Sequence, residues 1–311
     1  MTKPTYHYLF GPVPSRRLGR SLGVDIVPFK TCTQNCIYCQ LGKDAPQVIE
    51  RKEYVPVDAV LEELKRKIAD GLETDVVTIS GSGEPTLNSG LGALIDGIKQ
   101  LVKAPVVVIT NGTLLSRADV RHDCAKADIV MPSLDAGDPE TFETMNRPHP
   151  DLDFSSFVEG LRRFRREYNG QLWLEVFFCE GINTDPESIT RIKEHICRIK
   201  PDKIQLNTSV RPVTHPEAAR VSPEKLHDIA RQLGDSAEVI ADFSKHISTG
   251  ELAAGQADIL DMLRRRPCSL DDICDGLALN RNLAQKILQE LLDTSVILAE
   301  EKKQTIYYKT R

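Results

Sequence analysis

The chain of 311 residues is too long for one small domain and suits a large α/β domain with a smaller companion. Its 40 Lys and Arg against 45 Asp and Glu leave a net charge of −5, which excludes a polycation that coats nucleic acid but not a local basic patch. Hydrophobic residues at 41% and charged residues at 27% exclude wholesale disorder, and aromatics at 5% argue against a stacking-rich single-strand binder.

The opening MTKPTYHYLFGPVPSRR has no charged-then-apolar leader pattern. No run of ~18 apolar residues occurs. The expectation is a cytoplasmic chain that does not meet a membrane, where clustered cysteines are metal ligands or catalysts rather than disulfides.

Apolar runs that predict strands alternate with amphipathic runs that predict helices. A first strand over 22–28 (LGVDIVP) leads into a cysteine-bearing loop and a helix over 57–71, with Val60, Leu61, Leu64 and Ile68 on its apolar face. A strand over 75–80 ends in GSGEPTL; a helix over 91–102, a strand over 105–113, a short helix near 118–127 and a strand over 128–136 follow. A helix over 155–168, a strand over 171–183, a helix over 186–199, a strand over 203–212, a helix over 223–233 and a short strand over 237–243 complete the series. The strands are dense in Val and Ile and run continuously rather than alternating, as parallel strands buried on both faces do. Repeated βα units of this kind build either an open doubly wound sheet or a full or partial TIM-type barrel, and six units before residue 220 fall short of the eight that close one.

Composition shifts after Phe243. Residues 246–256 read as a linker, and 257–311 as three short helices and a terminal hairpin, with Ser269 and Asn280 as N-caps. This unit resembles a winged helix whose recognition helix would be 280–292, yet it has nine basic residues against ten acidic ones counted from Glu251. That balance is weak support for a duplex binder and favours docking of a substrate or protein.

Eight cysteines are present, and three of them, Cys32, Cys36 and Cys39, form C-x3-C-x2-C in KTCTQNCIYCQLG just after the first strand. Three soft thiolates this close can grip one iron–sulfur cluster or one zinc. Zinc would need a fourth ligand, and the next cysteine is Cys124. Three ligands to a 4Fe–4S cluster leave one iron open to a substrate or cofactor. The other five, Cys124, Cys179, Cys197, Cys268 and Cys274, have no assigned role, and Cys179 reads as core.

After the second strand, Gly81, Ser82 and Gly83 let backbone approach a ligand, and Glu84 can receive an ammonium group; a tight turn is the alternative. Asn111, Ser133, Asp135 and Asn183 fall at later strand ends on the same expected edge, where turns and caps also favour them. Asn207 and Arg211, on and after the sixth strand, are candidates to face substrate. Arg16, Arg17 and Arg20 could clamp a phosphate or carboxylate, or form a solvated entrance segment. Arg147, Arg162, Arg163, Arg165 and Arg166 read as a charged outer helix face or, alternatively, a tRNA-facing patch.

The cysteine spacing, with Tyr38 before the last cysteine, resembles the radical S-adenosylmethionine (radical SAM) superfamily. The resemblance implies a partial (βα)6 TIM-type barrel over 1–245. It implies a 4Fe–4S cluster on Cys32, Cys36 and Cys39, with SAM held by residues 81–84. Tyr38 would meet the adenine, Ser133 and Asp135 the ribose, and Asn183 the ribose or the SAM carboxylate. It also implies a reductant such as ferredoxin or flavodoxin. YLFGPVPSRRLGRSLGVDIVPFKTC, CIYCQLG and SGSGEPTL together resemble the group containing the tRNA wyosine-forming 4-demethylwyosine synthases and their bacterial relatives. Those synthases carry a second cluster on three upstream cysteines, and this chain has none before Cys32. The expected chemistry is therefore radical SAM modification of a substrate, with a tRNA base as one candidate. A peptide- or protein-modifying enzyme is the alternative, and an iron–sulfur DNA-binding sensor the reading from another class.

Overall fold

The computed structural model describes residues 6–15, 17–39, 41, 47–209, 215, 217–241, 256–277, 279, 281–302 and 305–311. In chain order the first half comprises β1 (Leu9–Ser15), β2 (Gly19–Val24), α1 (Val57–Ala69), β3 (Val76–Ile79), α2 (Leu91–Leu101), β4 (Val106–Thr110), α3 (Ala118–Cys124), β5 (Ile129–Pro132) and α4 (Pro139–Asn146). There follow α5 (Phe154–Glu167), β6 (Gln171–Phe178), α6 (Pro186–Ile199), β7 (Lys203–Thr208), α7 (Pro223–Leu233) and β8 (Ala237–Val239). These strands form one sheet in sequential order from β1 to β8. β2 to β8 are parallel, and β1 adds antiparallel at the edge beside β2. The result is an α/β partial TIM-type barrel whose sheet stays open.

Local sequence explains the elements. Val76, Val77, Thr78 and Ile79 are all buried, as β-branched residues in a covered parallel strand should be. Asp138, Asp185 and Ser222 cap α4, α6 and α7 through side-chain bonds to first-turn amides, each ahead of a Pro at the first helical position. One face of the sheet packs on the helices through the main core, which includes Val77, Ile79, Val108, Val130, Leu174 and Leu206. Each such fully buried side chain contributes about 1.5–3 kcal/mol. The opposite, helix-free face has its own cluster of Leu18, Val76, Val107, Met131 and Trp173 toward the N-terminal ends of the strands.

Three local expectations change. The predicted strand over 22–28 is β2 at Gly19–Val24, and Asp25 onward already belongs to the cysteine loop. β1 went unrecognised because its LFGPVPS is rich in Gly and Pro, which is tolerated only at an edge; its pairing is bulged between Phe10 and Val13. α4 was also missed, although the Asp138-Pro139 cap announces it.

Beyond β8 lie α8 (Gln256–Arg265), β9 (Cys268–Ser269), α9 (Leu270–Leu277), α10 (Arg281–Asp293), β10 (Ile297–Lys302) and β11 (Thr305–Thr310). β10, β11 and β9 form a three-stranded antiparallel sheet, and the unit has its own core, including Ile259, Leu263, Ile273, Leu288 and Leu291. Most of the expected linker over 246–256 lies outside the described residues. Among the described residues no helix is long and apolar enough to cross a membrane.

Candidate active site

The loop after β2 is tied to the loop after β3. The Lys30 N–H donates to Ser82 O at 2.5 Å, and the Glu84 N–H donates to Thr31 O at 2.9 Å. Gly83 permits the approach, because a Cβ there would stand 2.0 Å from Thr31 O. The far side of the cysteine loop is tied to the end of α4 and the residues after it. Asn35 N–H reaches Asn146 O at 3.1 Å, Ile37 N–H reaches Met145 O at 2.9 Å, and His149 N–H reaches Thr33 O at 2.9 Å. Cys32, Cys36 and Cys39 are thus presented together at the C-terminal edge of the parallel strands, where this class of fold builds its sites.

Glu84 is 2% exposed. Its carboxylate accepts from Thr86 N–H (3.0 Å), the Thr86 hydroxyl (2.5 Å), the Thr110 hydroxyl (2.6 Å) and Asn111 N–H (2.7 Å). Burial raises its pKa while these bonds oppose the rise. It therefore braces the glycine loop against the end of β4, and Oε2, with one of these bonds, is the oxygen with capacity to spare. Asn111 donates to Thr33 Oγ1 at 2.7 Å and to Cys32 Sγ at 3.5 Å.

Asp135 organises the opposite side. It accepts from the Tyr38 hydroxyl, from Asn146 Nδ2 at 2.8 Å and from Phe177 N–H at 2.8 Å. Tyr38 stacks on Phe177 with centroids 4.0 Å apart. Burial pushes the Asp135 carboxyl up to about 6, against those three bonds, which favour the charged form. Ser133 bridges to Glu175 of β6 at the same edge, and Asn207 is the register partner of Phe177.

Asn183 is fully buried and entirely engaged with backbone: its amide donates to Asp135 O and Phe177 O, both at 2.8 Å, and accepts from Cys179 N–H. It braces the backbone at the ends of β5 and β6. Cys179 is buried beside Ile37, Met145 and Phe177, as expected of core.

Of the described candidate arginines, Arg17 reaches the level of Ser133 through Glu175 and Arg20 stays at the far end of the strands. Arg17 reaches from the β1–β2 hairpin to Glu175 and, at 3.3 Å, to Gln205 Oε1, register partners midway along β6 and β7, whereas Arg20 pairs at the N-terminal end of β2 with Glu73 at 2.9 Å and Asp75 at 3.6 Å. Five residues of strand separate Arg20 from Asp25, roughly 17 Å. Arg16 and Arg211 lie outside the described residues. Arg162, Arg163 and Arg166 pair with Glu159, and Arg165 with Asp202, which makes α5 a charged outer face. Asn146, Phe177 and Asp25 join the site without having been read from sequence. Asn146 donates to Cys36 Sγ at 3.6 Å as well as to Asp135.

The thiols suit a cationic group. Burial, with the Glu84 charge next, pushes Cys32 up to about 12; burial likewise raises Cys36 and Cys39. Bare thiolates are costly here, so a cation beside the sulfurs would favour their charged form. Among the described residues no three His, Cys, Asp or Glu side chains converge on a single ion, whereas a polynuclear cluster offers three thiols a wider base. The amides of Asn111 and Asn146 point donors at two of these sulfurs, an arrangement that tunes such clusters.

Comparison with known proteins places this geometry. The radical SAM superfamily pattern matches residues 26–189, from the cysteine loop into α6. The chain is 36% identical over 298 residues to a protein named GTPase Obg of Brachyspira hyodysenteriae, covering 94% of this chain but only 43% of that longer protein. It carries no Gly-x4-Gly-Lys-Ser/Thr phosphate loop, so the likeness does not rest on one. It is 35% identical over 233 residues to a UPF0026 protein of Methanocaldococcus jannaschii, covering 74% of this chain and 71% of that one. Its fold resembles that of TYW1 with a lysine–pyruvate adduct bound, at a TM-score of 0.56 and 21% identity, over 72% of this chain and 75% of that chain. With the family pattern lying across more than half its length, the chain belongs to the radical SAM superfamily, whose enzymes use a 4Fe–4S cluster and S-adenosylmethionine.

Proposed function

We propose that Cys32, Cys36 and Cys39 hold the 4Fe–4S cluster, and that residues 81–84, Asn111, Ser133, Tyr38 and Asp135 surround SAM. Substrate would meet them on the helix-free face of the sheet. The observation that carries this reading is the pair of backbone bonds joining the cysteine loop to the glycine loop. Held by these residues, cluster and SAM would supply one-electron cleavage of a carbon–sulfur bond and radical hydrogen abstraction from substrate. The chain's own residues bind, orient and exclude water. Asn111 and Asn146 donate to cysteine sulfurs, Glu84 fixes the glycine loop, and the Tyr38–Phe177 stack offers an apolar surface beside Asp135.

A ferredoxin or flavodoxin would supply the electron, in the cytoplasm. Residues 1–245 would form the catalytic unit and 257–311 a winged-helix-like unit that captures substrate. For the substrate we propose an RNA base, with TYW1 as the precedent in fold. A peptide is the second reading, favoured by the near balance of acidic and basic residues in the C-terminal unit. Anaerobically reconstituted protein given dithionite and SAM should release 5′-deoxyadenosine. Persistent failure with an intact reduced cluster would overturn the enzyme reading and leave the sensor. Incubation with total RNA and, separately, with a peptide extract then shows by mass change which one is modified.

A further inference from the structure

The C-terminal unit is more than tethered to the sheet. Val13 of β1 packs at the margin of its core. Arg265, the last residue of α8, reaches the helix-free face, where its guanidinium lies 3.4 Å from the centroid of the Phe10 ring and its Nη1 lies 3.5 Å from Asp25 Oδ2. Phe10 is the register partner of Gly23, and its ring lies over that residue. Asp25 follows two residues on, and alternation along β2 gives it the same face.

Asp25 in turn holds the glycine loop. Its Oδ2 accepts from the Ser82 N–H at 3.0 Å and from the Ser82 hydroxyl. The loop is shaped to this carboxylate, since a Cβ on Gly81 would stand 2.5 Å from Asp25 Cγ. Asp25 Oδ1 is buried and has no hydrogen-bond partner among the described residues. A carboxylate so enclosed needs a cation beside it. Among the described residues Arg265 is a cation in contact, its guanidinium set against the face of the Phe10 ring.

We propose that Arg265 is a positioning residue supplied by the C-terminal unit: through Asp25 it fixes residues 81–84 in the shape that receives SAM. Seating of that unit on β1 then sets SAM affinity. The inference rests on the reading of 81–84 as part of the SAM site.

The test uses the full chain, reconstituted with iron and sulfide, in wild-type, Arg265→Gln, Arg265→Lys and Asp25→Asn forms. SAM affinity is measured by calorimetry, iron by assay, and amide hydrogen exchange over 80–84 without SAM. Arg265→Gln should weaken SAM binding about tenfold, the scale of one charged hydrogen bond, and speed exchange over 80–84 with iron content unchanged. Arg265→Lys, which keeps the charge but not the stack, should fall between. Asp25→Asn alters the contact from the sheet side and should show the same two effects, which keeps the proposal testable if Arg265→Gln does not fold. Wild-type affinity and exchange in both Arg265→Gln and Asp25→Asn would overturn it. Faster exchange over 80–84 in Arg265→Gln and Asp25→Asn, with no SAM binding even by wild-type protein, would instead overturn the reading of the loop, and the coupling of Arg265 to it would stand.

Discussion

The two ends of one sheet treat charge in opposite ways. At the N-terminal ends of the strands, Leu18, Val76, Val107, Met131 and Trp173 plug the helix-free face, and Lys203 lies 4.2 Å above the Trp173 ring. Arg20 is ion-paired there with Glu73 and Asp75. At the C-terminal ends, by contrast, two of the three half-buried cysteines have neutral amide donors aimed at their sulfurs, and Asp25 keeps one oxygen without a partner among the described residues. Matched charges close one end, while the other keeps acidic groups with incomplete compensation, and it is there that the proposed cluster and SAM would sit.

The largest effect expected from breaking this contrast is at the receptive end. Cys36→Ala should leave less than a full iron complement after anaerobic reconstitution. It should lower the 5′-deoxyadenosine yield by more than about a hundredfold, beyond what loss of an outer-shell partner costs. Unchanged iron content would remove Cys36 from the ligand set.

Next comes pH. The folded pKa of Asp135, about 6, lies above its ordinary 3.8, so the folded state holds that proton more tightly than the unfolded chain. The stability it contributes is complete below about pH 4 and is lost as pH rises through about 6, a loss of roughly 3 kcal/mol. In metal-free protein, urea unfolding at pH 4 and pH 7 should show this fall in wild type and not in Asp135→Asn. Parallel pH dependence in the two proteins would contradict the assignment.

The smallest effect belongs to the closed end. Arg20→Met removes the cation from the exposed carboxylates Glu73 and Asp75 and should shift the urea unfolding midpoint only slightly, with iron content and SAM cleavage at wild-type levels. A fall in either would draw this end into the site.

Fold class was legible because Val- and Ile-rich runs such as Val106–Thr110 alternate with amphipathic helices, a pattern written in local sequence. β1 was not, because Gly11, Pro12 and Pro14 carry no strand signal of their own and pair only because β2 offers an edge. The thiol spacing of 32, 36 and 39 is local and therefore readable. Asn146 stands 110 residues from Cys36, and nothing near it in sequence marks it as a neighbour of that sulfur. The arginines misled for the complementary reason. Their type suits an anion, but the anions that Arg17 and Arg20 meet are carboxylates of the same chain, set by register and invisible before folding.

The ties between the cysteine loop and the end of α4 also set an order of assembly. Thr33, Asn35 and Ile37 are held by His149, Asn146 and Met145, each across more than a hundred residues of chain. Closing loops of that length is slow compared with forming any single helix. A nascent chain that has exposed its three cysteines still lacks the wall that orients them until the fourth helix has been made and docked. Iron delivered before then meets mobile thiols; iron delivered afterwards meets a finished cradle. On the proposed cluster assignment, the topology thus makes a finished cradle depend on the docking of the fourth helix.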